Sequence, residues 1–343
     1  MAYSSIAKPT DYFNTVLWTG NGSTMTITGV GFNADWVWVK LRNGTDDHRL
    51  FDQVRGINKY LEANNTDTEV TDAILSTNSD GYNLASAGEV TANGGTFVGW
   101  NWLGANGTAS NSNGSITSTV SANTTAGFSI VKYTSNNTAG ATIGHGLGSV
   151  PNMVIVKSLA NTTRWFVYHS SLGNGSEIYL DDTQAAYNSS TVWNNTTPTS
   201  SVVTLGTTYV NASGDYVAYC FAEKKGYSKF GSYTGNGNAN GTFVYTGFKP
   251  AWVMYKRSSA SGNDWVIVDN KRDPINVCDE ELYANLNSAT GDVDLLDFLS
   301  NGFKCRRSHN SQNGSGSTYI YMAFAENPFV GNVSGTAVPV TAR

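Results

Sequence analysis

The sequence predicts an all-β protein built from three tandem antiparallel β-sandwiches of the jelly-roll or concanavalin-like type. Three observations predict this class: a set of landmark strands that recurs three times, a chain rich in Thr, Tyr, Trp and Val, and frequent Gly and Asn turn signals. The 343 residues leave room for about two or three domains of ordinary size. The sequence does not specify the strand order within each sandwich.

An apolar anchor strand marks each of the three units. In unit 1 the alternation places Trp36 and Trp38 on one face of this strand and Val37 and Val39 on the other. Large apolar side chains on both faces are typical of a strand inside a sandwich. The anchor strands lie at 34–40, 151–157 and 250–256.

Four further landmarks accompany the anchor strands in a constant order. An aromatic strand ending in a turn precedes each anchor, and in the outer units this turn contains Asn21-Gly22 or Asn236-Gly237. Asn-Gly favours a hairpin because both residues tolerate positive φ. The other landmarks are a second strand (49–52, 165–169, 265–269), a Ser-Asp/Asn-Gly-aromatic motif (79–82, 300–303) and a closing strand (96–102, 215–223, 318–326).

These landmarks divide the chain into units. The junction between units 2 and 3 is direct and should be stiffer than the first junction, which is rich in Asn, Ser, Thr and Gly. The predicted divisions are unit 1 (1–104), a linker or loop (105–126), unit 2 (127–226), unit 3 (227–330) and an extended C-terminal arm (331–343).

Two local patterns complete the prediction of secondary structure. The closing strands are apolar or aromatic at nearly every position, which predicts a central strand with both faces buried. A short surface helix is predicted at 279–285, because Asp279, Glu280 and Glu281 would place negative charge in its first turn.

Composition excludes several classes of function. The net charge is −5 and no block of basic residues is present, so we expect no binding to nucleic acid. No apolar stretch approaches the roughly 20 residues that span a bilayer, so we expect no membrane insertion. Cys220, Cys278 and Cys305 are odd in number and lack CxxC spacing, which favours folding in a reducing compartment.

The acidic residues and histidines form no recognised motif for catalysis or metal binding. Glucanases of the concanavalin-like type usually carry Glu-x-Asp-x-x-Glu on one strand, and this pattern is absent. The acidic clusters at 177–182 and 279–281 are interpreted as solvated loops or a helix start. The four histidines, which share no metal-ligand spacing, are His48, His145, His169 and His309. We therefore expect no enzyme activity, no metal site and no cofactor.

Lys40, Lys157 and Lys256 end the anchor strands of all three units. One interpretation is a charge at the strand end that keeps the sheet margin soluble. The alternative is a contact to a neighbouring subunit.

Most of the aromatic residues are expected in the core, but some lie in segments rich in Asn. Exposed Tyr, Trp and Asn side chains suit glycans, which they bind by stacking and by several hydrogen bonds. Trp193, Asn194, Asn195 and Tyr187 are the candidate ligand-binding residues on this basis.

Long motifs between residues 12 and 329 resemble a repeat family of marine tailed bacteriophages. Unit 2 departs most from the pattern, since Met153 and Ile155 replace the Trp pair and a glycine-rich turn at 144–148 is inserted. The motifs are YFNT at 12–15, TGNG at 19–22, GFNADWVWVK at 31–40, LFDQVRG at 50–56, SDGY at 79–82, GYSKFGSY at 226–233 and AFAENPF at 323–329.

The resemblance implies a virion structural or tail-fibre-like protein, made in the cytoplasm of the host bacterium, and it implies no catalytic residues. The expected partners are other virion proteins, further copies of the chain in a homo-oligomer such as a trimer, and a glycan on the host surface. Three alternatives stay open: a capsid decoration protein, a tail depolymerase with paired carboxylates, and a free carbohydrate-binding module.

Overall fold

The computed structural model of the protein describes residues 4–71 and 74–328. The chain is all-β with antiparallel sheets, which confirms the predicted all-β class. Helical structure in the described part consists of a 3₁₀ turn at Pro9–Asp11 and the single-turn helix α1 at Gly88–Thr91, and neither is long and apolar enough to cross a membrane. The predicted arm at 331–343 lies outside the described residues.

The strands are numbered in chain order. Unit 1 contains β1 (Phe13–Thr19), β2 (Met25–Ile27), β3 (Trp36–Leu41), β4 (Arg49–Asp52), β5 (Lys59–Leu61), β6 (Val70–Thr71), β7 (Ile74–Asn78), β8 (Gly81–Leu84) and β9 (Thr96–Trp102). The next strands are β10 (Ala109–Asn111), β11 (Ser118–Asn123), β12 (Phe128–Thr134), β13 (Ala141–Gly144), β14 (Met153–Ser158), β15 (Phe166–His169), β16 (Ser176–Tyr179), β17 (Tyr187–Asn188), β18 (Val202–Leu205) and β19 (Asp215–Phe221). Unit 3 contains β20 (Ser228–Thr234), β21 (Phe243–Tyr245), β22 (Phe248–Arg257), β23 (Val266–Asp269), β24 (Cys278–Tyr283), β25 (Gly291–Leu299), β26 (Gly302–Cys305) and β27 (Thr318–Pro328).

Each unit has a main sheet with the same order of five strands. The orders are β1-β9-β3-β4-β5, β12-β19-β14-β15-β16 and β20-β27-β22-β23-β24. In each sheet the closing strand lies between the first strand and the anchor strand. Both edges of the closing strand are therefore paired, and nearly all of its residues are buried, as its apolar sequence predicted.

A smaller layer covers the outer face of each main sheet. It is formed by β2-β8-β7 in unit 1, by β13-β18 in unit 2 and by β25-β26-β21 in unit 3. A separate hydrophobic cluster fills each of these sandwiches. In unit 1 this cluster takes Val37 and Val39 from the anchor strand and Tyr82 from the outer layer.

The inner faces of the three main sheets meet in one central core. Ring contacts join each pair of units: Trp36 stacks on Tyr219 with centroids 4.5 Å apart, and Phe324 contacts Phe221 and Trp102 at 6.2 and 5.6 Å. The three units are thus packed as one body around shared aromatic side chains. Seven of the nine tryptophans lie in this core: Trp36, Trp38, Trp100, Trp102, Trp165, Trp252 and Trp265.

Buried hydrogen bonds connect the units in a closed ring. The Tyr219 hydroxyl of unit 2 donates to Asp52 of unit 1 at 2.8 Å, and the Trp100 indole of unit 1 donates to Asp269 of unit 3 at 3.0 Å. Tyr219 and Trp100 occupy equivalent places, opposite the anchor residues of their own sheets. In units 1 and 3 the aspartate at the end of the second strand therefore receives a donor from the next unit.

At the third junction, between units 2 and 3, the residue that ends the second strand donates the hydrogen bond instead of accepting it. The residue equivalent to Tyr219 and Trp100 in unit 3 is Met322, whose side chain has no donor. In unit 2 the aspartate is replaced by His169, whose Nε2 donates to the Tyr321 carbonyl at 3.1 Å. A histidine in this place satisfies a buried carbonyl that an aspartate could not.

A second set of hydrogen bonds closes the same three junctions. The residue immediately before each second strand donates to a backbone carbonyl of the preceding unit: Trp165 to Glu62 at 2.8 Å and Trp265 to Tyr179 at 2.7 Å. In unit 1 this residue is His48, whose Nε2 donates to a carbonyl of unit 3 at 2.9 Å. Each junction is therefore closed by two directional contacts.

The segment 105–126, predicted as a linker or loop, contains β10 and β11. They pair with each other and extend the main sheet of unit 2 through β12. Val120 and Ser118 face inward, and the Ser118 hydroxyl donates to the Gly144 carbonyl at 2.8 Å. The prediction of a linker was wrong because Ser and Thr side chains alternate here with apolar ones and can pair within a sheet.

Two local predictions are also corrected. The turns at Gly22 and Gly237 have φ of +75° and +68°, but they do not close hairpins, since β1 pairs with β9 while β2 pairs with β8. The predicted helix at 279–285 is instead strand β24, which pairs with β23 and β25. Leu282 of this strand enters the central core, so tertiary packing overrides the acidic helix-start signal.

The glycine of the Ser-Asp/Asn-Gly-aromatic motif permits a close approach of two strands. A Cβ atom on Gly81 would lie 2.1 Å from the Ile27 carbonyl oxygen, and one on Gly302 would lie 2.1 Å from that of Val244. Both glycines therefore allow two strands of the outer layer to pair closely, β8 with β2 in unit 1 and β26 with β21 in unit 3.

We expect Gly302→Ala to destabilise the protein by roughly 1–3 kcal/mol, because the added methyl group meets backbone rather than a movable side chain. The measurement is the free energy of unfolding in denaturant. Gly107→Ala is the matched control, since its Cβ would meet no atom within 4 Å. Equal effects of the two substitutions would contradict the steric explanation.

We expect Tyr219→Phe to lower the free energy of unfolding by about 1–3 kcal/mol, because Asp52 loses a buried donor. The control is Tyr227→Phe, in the same core, whose buried hydroxyl has no hydrogen-bond partner among the described residues. This second substitution should be neutral or stabilising. A loss of the same size in both variants would show that the bond between units contributes nothing.

Candidate functional site

The structure places Lys40, Lys157 and Lys256 inside the chain, with at most 1% of each residue exposed. Burial lowers the pKa of each ammonium group to about 8, and neighbouring aspartates oppose this effect. The interpretation of these lysines as soluble strand ends is therefore wrong. The predicted contact with a neighbouring subunit is corrected as well, because an enclosed ammonium group does not reach a second chain.

The partners of these lysines belong to the same chain. Lys157 donates to the Thr66 carbonyl of unit 1 at 3.0 Å, and Lys256 donates to the Thr183 carbonyl of unit 2 at 3.2 Å. Lys40 instead donates to the carbonyl of Leu41, the next residue, at 2.6 Å. Two of the three lysines thus bridge the junctions between units.

The predicted glycan residues are divided between core and surface. Trp193 is only 1% exposed, and its ring contacts Tyr168 in the core of unit 2 with centroids 5.8 Å apart. It therefore cannot act as a stacking platform, and this prediction is corrected. Asn194 and Asn195 are exposed in a turn where both have a φ of +48°.

Tyr187 lies on the surface and forms part of a tyrosine patch, which we define as Tyr179, Tyr187 and Tyr209 with Phe166 and Glu177. Tyr187 and Tyr209 are 40% and 46% exposed, whereas Phe166 and Tyr179 beneath them are buried. Tyr209 stacks on Phe166 at 5.1 Å and Tyr187 meets Tyr179 edge-on at 5.9 Å. Two exposed rings are thus held against a rigid aromatic base.

Strand pairing explains how this patch forms. Glu177 and Tyr179 lie on one face of β16, and Ile178 lies on the other and enters the central core. The neighbouring strand β17 places Tyr187 opposite Glu177. Tyr209 comes from the loop between β18 and β19, where it has a φ of +68°, an uncommon conformation for a tyrosine.

The carboxyl group of Glu177 is buried beside the tyrosine hydroxyls. Its Oε1 accepts a hydrogen bond from the Tyr179 hydroxyl at 3.2 Å, while Oε2 makes no hydrogen bond to a described residue. Burial raises the pKa of Glu177, and the hydroxyls of Tyr179 and Ser189 partly offset this effect. The Tyr179 hydroxyl also bonds to that of Tyr187. The patch therefore contains a buried carboxyl group that is linked to the hydroxyls of both tyrosines.

A cation lies beside the patch and is already neutralised. The Arg164 guanidinium lies over the Tyr179 ring, 5.0 Å from its centroid. The same group forms ion pairs with Asp182 and, at 3.5 Å, with Asp181. The net character of the patch is therefore aromatic and acidic.

Two further acidic residues take part in ion pairs that stabilise the fold. Glu280 pairs with Arg42 of unit 1 at 2.7 Å. Asp269 is held by Arg272 at 2.6 Å; burial alone would raise the pKa of this aspartate, but the arginine holds it below its ordinary value. Within 4–71 and 74–328, no three His, Cys, Asp or Glu side chains gather as a metal site.

Sequence reasoning found Tyr187 but missed Tyr179 and Tyr209. The alternation of Glu177, Ile178 and Tyr179 could have placed Glu177 and Tyr179 on one face of a strand. Tyr209 carries no such signal, because its position depends on how a loop folds over Phe166.

The family was identified by comparison of the whole sequence with family models. A family described as a domain of unknown function, DUF7483, matches residues 8–328. The chain belongs to this family. The match spans all three units and their shared core, so one DUF7483 domain comprises the closed ring of units. None of the curated proteins compared with the chain matches it.

We expect His169→Gln to make stability less sensitive to acid. Burial lowers the pKa of His169 to about 4, so between pH 6.5 and 4 the unfolded chain binds a proton that the folded chain excludes. The contribution of His169 to the free energy of unfolding is therefore fully present above pH 6.5 and is lost as the pH falls toward 4. Glutamine keeps a donor for the Tyr321 carbonyl and does not titrate.

The measurement is the free energy of unfolding at pH 7 and at pH 5. The decrease between these two pH values should be smaller in His169→Gln than in the parent protein by ~2 kcal/mol. The exposed His309 supplies the control variant His309→Gln. An unchanged difference between the two pH values in His169→Gln would contradict the assignment of a buried neutral histidine.

Proposed function

We propose that the protein is a non-enzymatic structural component of a bacteriophage particle, displayed on the virion as a compact knob that contacts the host surface. The resemblance of its long motifs to phage repeat proteins supports this proposal. Other virion proteins, and further copies of the chain in a symmetric assembly, are the proposed partners.

The observation that carries the proposal is the structural use of buried polar groups that could otherwise serve chemistry. Asp52 and Asp269 receive donors from neighbouring units, and His48 and His169 donate to backbone carbonyls across junctions. The anchor-strand lysines are enclosed. These contacts favour a rigid body that survives outside the cell over a catalytic cleft.

The surface of the protein supports a role in contact. The sequence is only 14% charged, and Asn, Ser, Thr and Tyr supply most of its polar side chains. Uncharged polar groups and aromatic rings suit weak contacts to glycans, which many copies on one particle strengthen through avidity.

The test is a cryo-EM map of the phage particle whose genome encodes this chain, together with labelling by antibodies raised against the purified protein. We expect density for the ring of three units at the tail tip or the tail fibres. Regular copies over the capsid lattice would make the protein a decoration protein and would overturn host contact as its main role.

Absence from the particle would overturn the virion proposal. In that case the purified chain should be assayed for release of reducing sugar from host polysaccharide, which a depolymerase would produce. The same particle preparation provides the control, since a known capsid protein must be visible at its lattice positions.

A further inference from the structure

We propose that the tyrosine patch of unit 2 binds a neutral pyranose residue of a glycan. The proposal assigns a ligand class to one surface of the molecule. It rests on the proposed function only for the source of the glycan, which would be the host surface. Binding itself depends on the patch alone.

The exposed rings provide the first requirement, a fixed apolar surface. Tyr187 and Tyr209 are each close to half exposed, and each is supported from below by a buried ring. Tyrosine has few rotatable bonds, so a ring held in this way loses little conformational entropy on binding. The C–H face of a pyranose can pack on such rings while its hydroxyl groups remain at the edge.

The polar groups provide the second requirement, acceptors and donors for sugar hydroxyls. Tyr187 is 40% exposed, so its hydroxyl can exchange hydrogen bonds with a sugar at the surface. Glu177 is only 2% exposed and does not meet the sugar directly. Its carboxyl group accepts a hydrogen bond from the Tyr179 hydroxyl, which in turn bonds to the Tyr187 hydroxyl and so orients it.

The charge of the patch selects among sugars. Glu177 contributes a carboxylate, while the adjacent Arg164 is neutralised by Asp181 and Asp182. A sialic or uronic acid would bring a second negative charge against an acidic surface, which is unfavourable. The patch therefore suits neutral sugars.

The other units provide an internal comparison. In unit 3 the equivalent pair is Tyr283 and Glu281, whose hydrogen bond is 2.5 Å long, but the residue opposite is Gly291. In unit 1 the residue opposite Tyr60 is Val70. The tyrosine–glutamate pair thus occurs in units 2 and 3. In unit 2 the residue opposite the glutamate is an exposed tyrosine, Tyr187.

The test is binding of the purified chain to an array of neutral oligosaccharides ending in glucose, galactose or N-acetylglucosamine, with sialylated counterparts, followed by calorimetry on the best neutral probe. We expect Tyr187→Ala and Tyr209→Ala each to weaken binding roughly two- to tenfold, as loss of one aromatic contact would do. The double variant should bind more weakly than either single variant.

Tyr245→Ala, which removes an exposed tyrosine of unit 3, is the matched control and should bind as the parent does. Thermal unfolding of all variants checks that the fold is retained. No binding to any neutral probe at millimolar concentration, binding only to sialylated probes, or equal binding by the parent and the double variant would each overturn the proposal.

The two proposals fail separately. Glycan binding by a chain that is absent from the particle would overturn the virion role and leave the tyrosine patch as a sugar site. A chain present on the particle that binds no neutral sugar would overturn the patch and leave the virion role standing.

Discussion

The packing of three aromatic sheet faces against one another is the interaction on which the rest of the structure depends. Each main sheet presents large side chains on both faces, so neither face can be left in water. The outer face is covered by the small second layer of its own unit, and the inner face by the other two units. Trp36 stacked on Tyr219, and Phe324 in contact with Phe221 and Trp102, show that all three junctions share one core. A unit taken alone would expose this face. The match to the DUF7483 family covers residues 8–328 and so includes all three units.

Buried polar groups make the packing specific. Apolar faces alone would permit the sheets to slide, whereas the directional bonds from Tyr219 to Asp52 and from Trp100 to Asp269 require one relative position. The exchange of aspartate for His169 fits the same geometry, because Met322 supplies no donor at the third junction and the histidine donates to a backbone carbonyl instead. Differences between the units are therefore coupled across junctions: a side chain in one unit is explained by its neighbour in another.

The tyrosine patch shows how one unit can acquire a separate role on a shared scaffold. The tyrosine–glutamate pair of β16 has a counterpart in β24, so the base of the patch belongs to the common architecture. Tyr187 and Tyr209 are additions from an edge strand and a loop, which can change without disturbing either core. Specialisation of this kind leaves the rigid body intact and alters only what the surface can bind.

The sequence by itself determined the all-β class, the anchor and closing strands, and the burial of Trp36 and Trp38 on one face opposite Val37 and Val39. These features follow from alternation and side-chain size, which are local properties of a strand. Only the tertiary structure decided that Lys40 and Trp193 are buried, that 105–126 pairs with a sheet, and that Tyr209 meets Phe166. Each of these depends on which segment arrives from a distant part of the chain to cover a side chain or offer it a hydrogen bond. Spacing along the sequence does not identify that partner. The same polar or aromatic residue is compatible with a core, a junction or a surface, and only its neighbours in the folded chain decide between them.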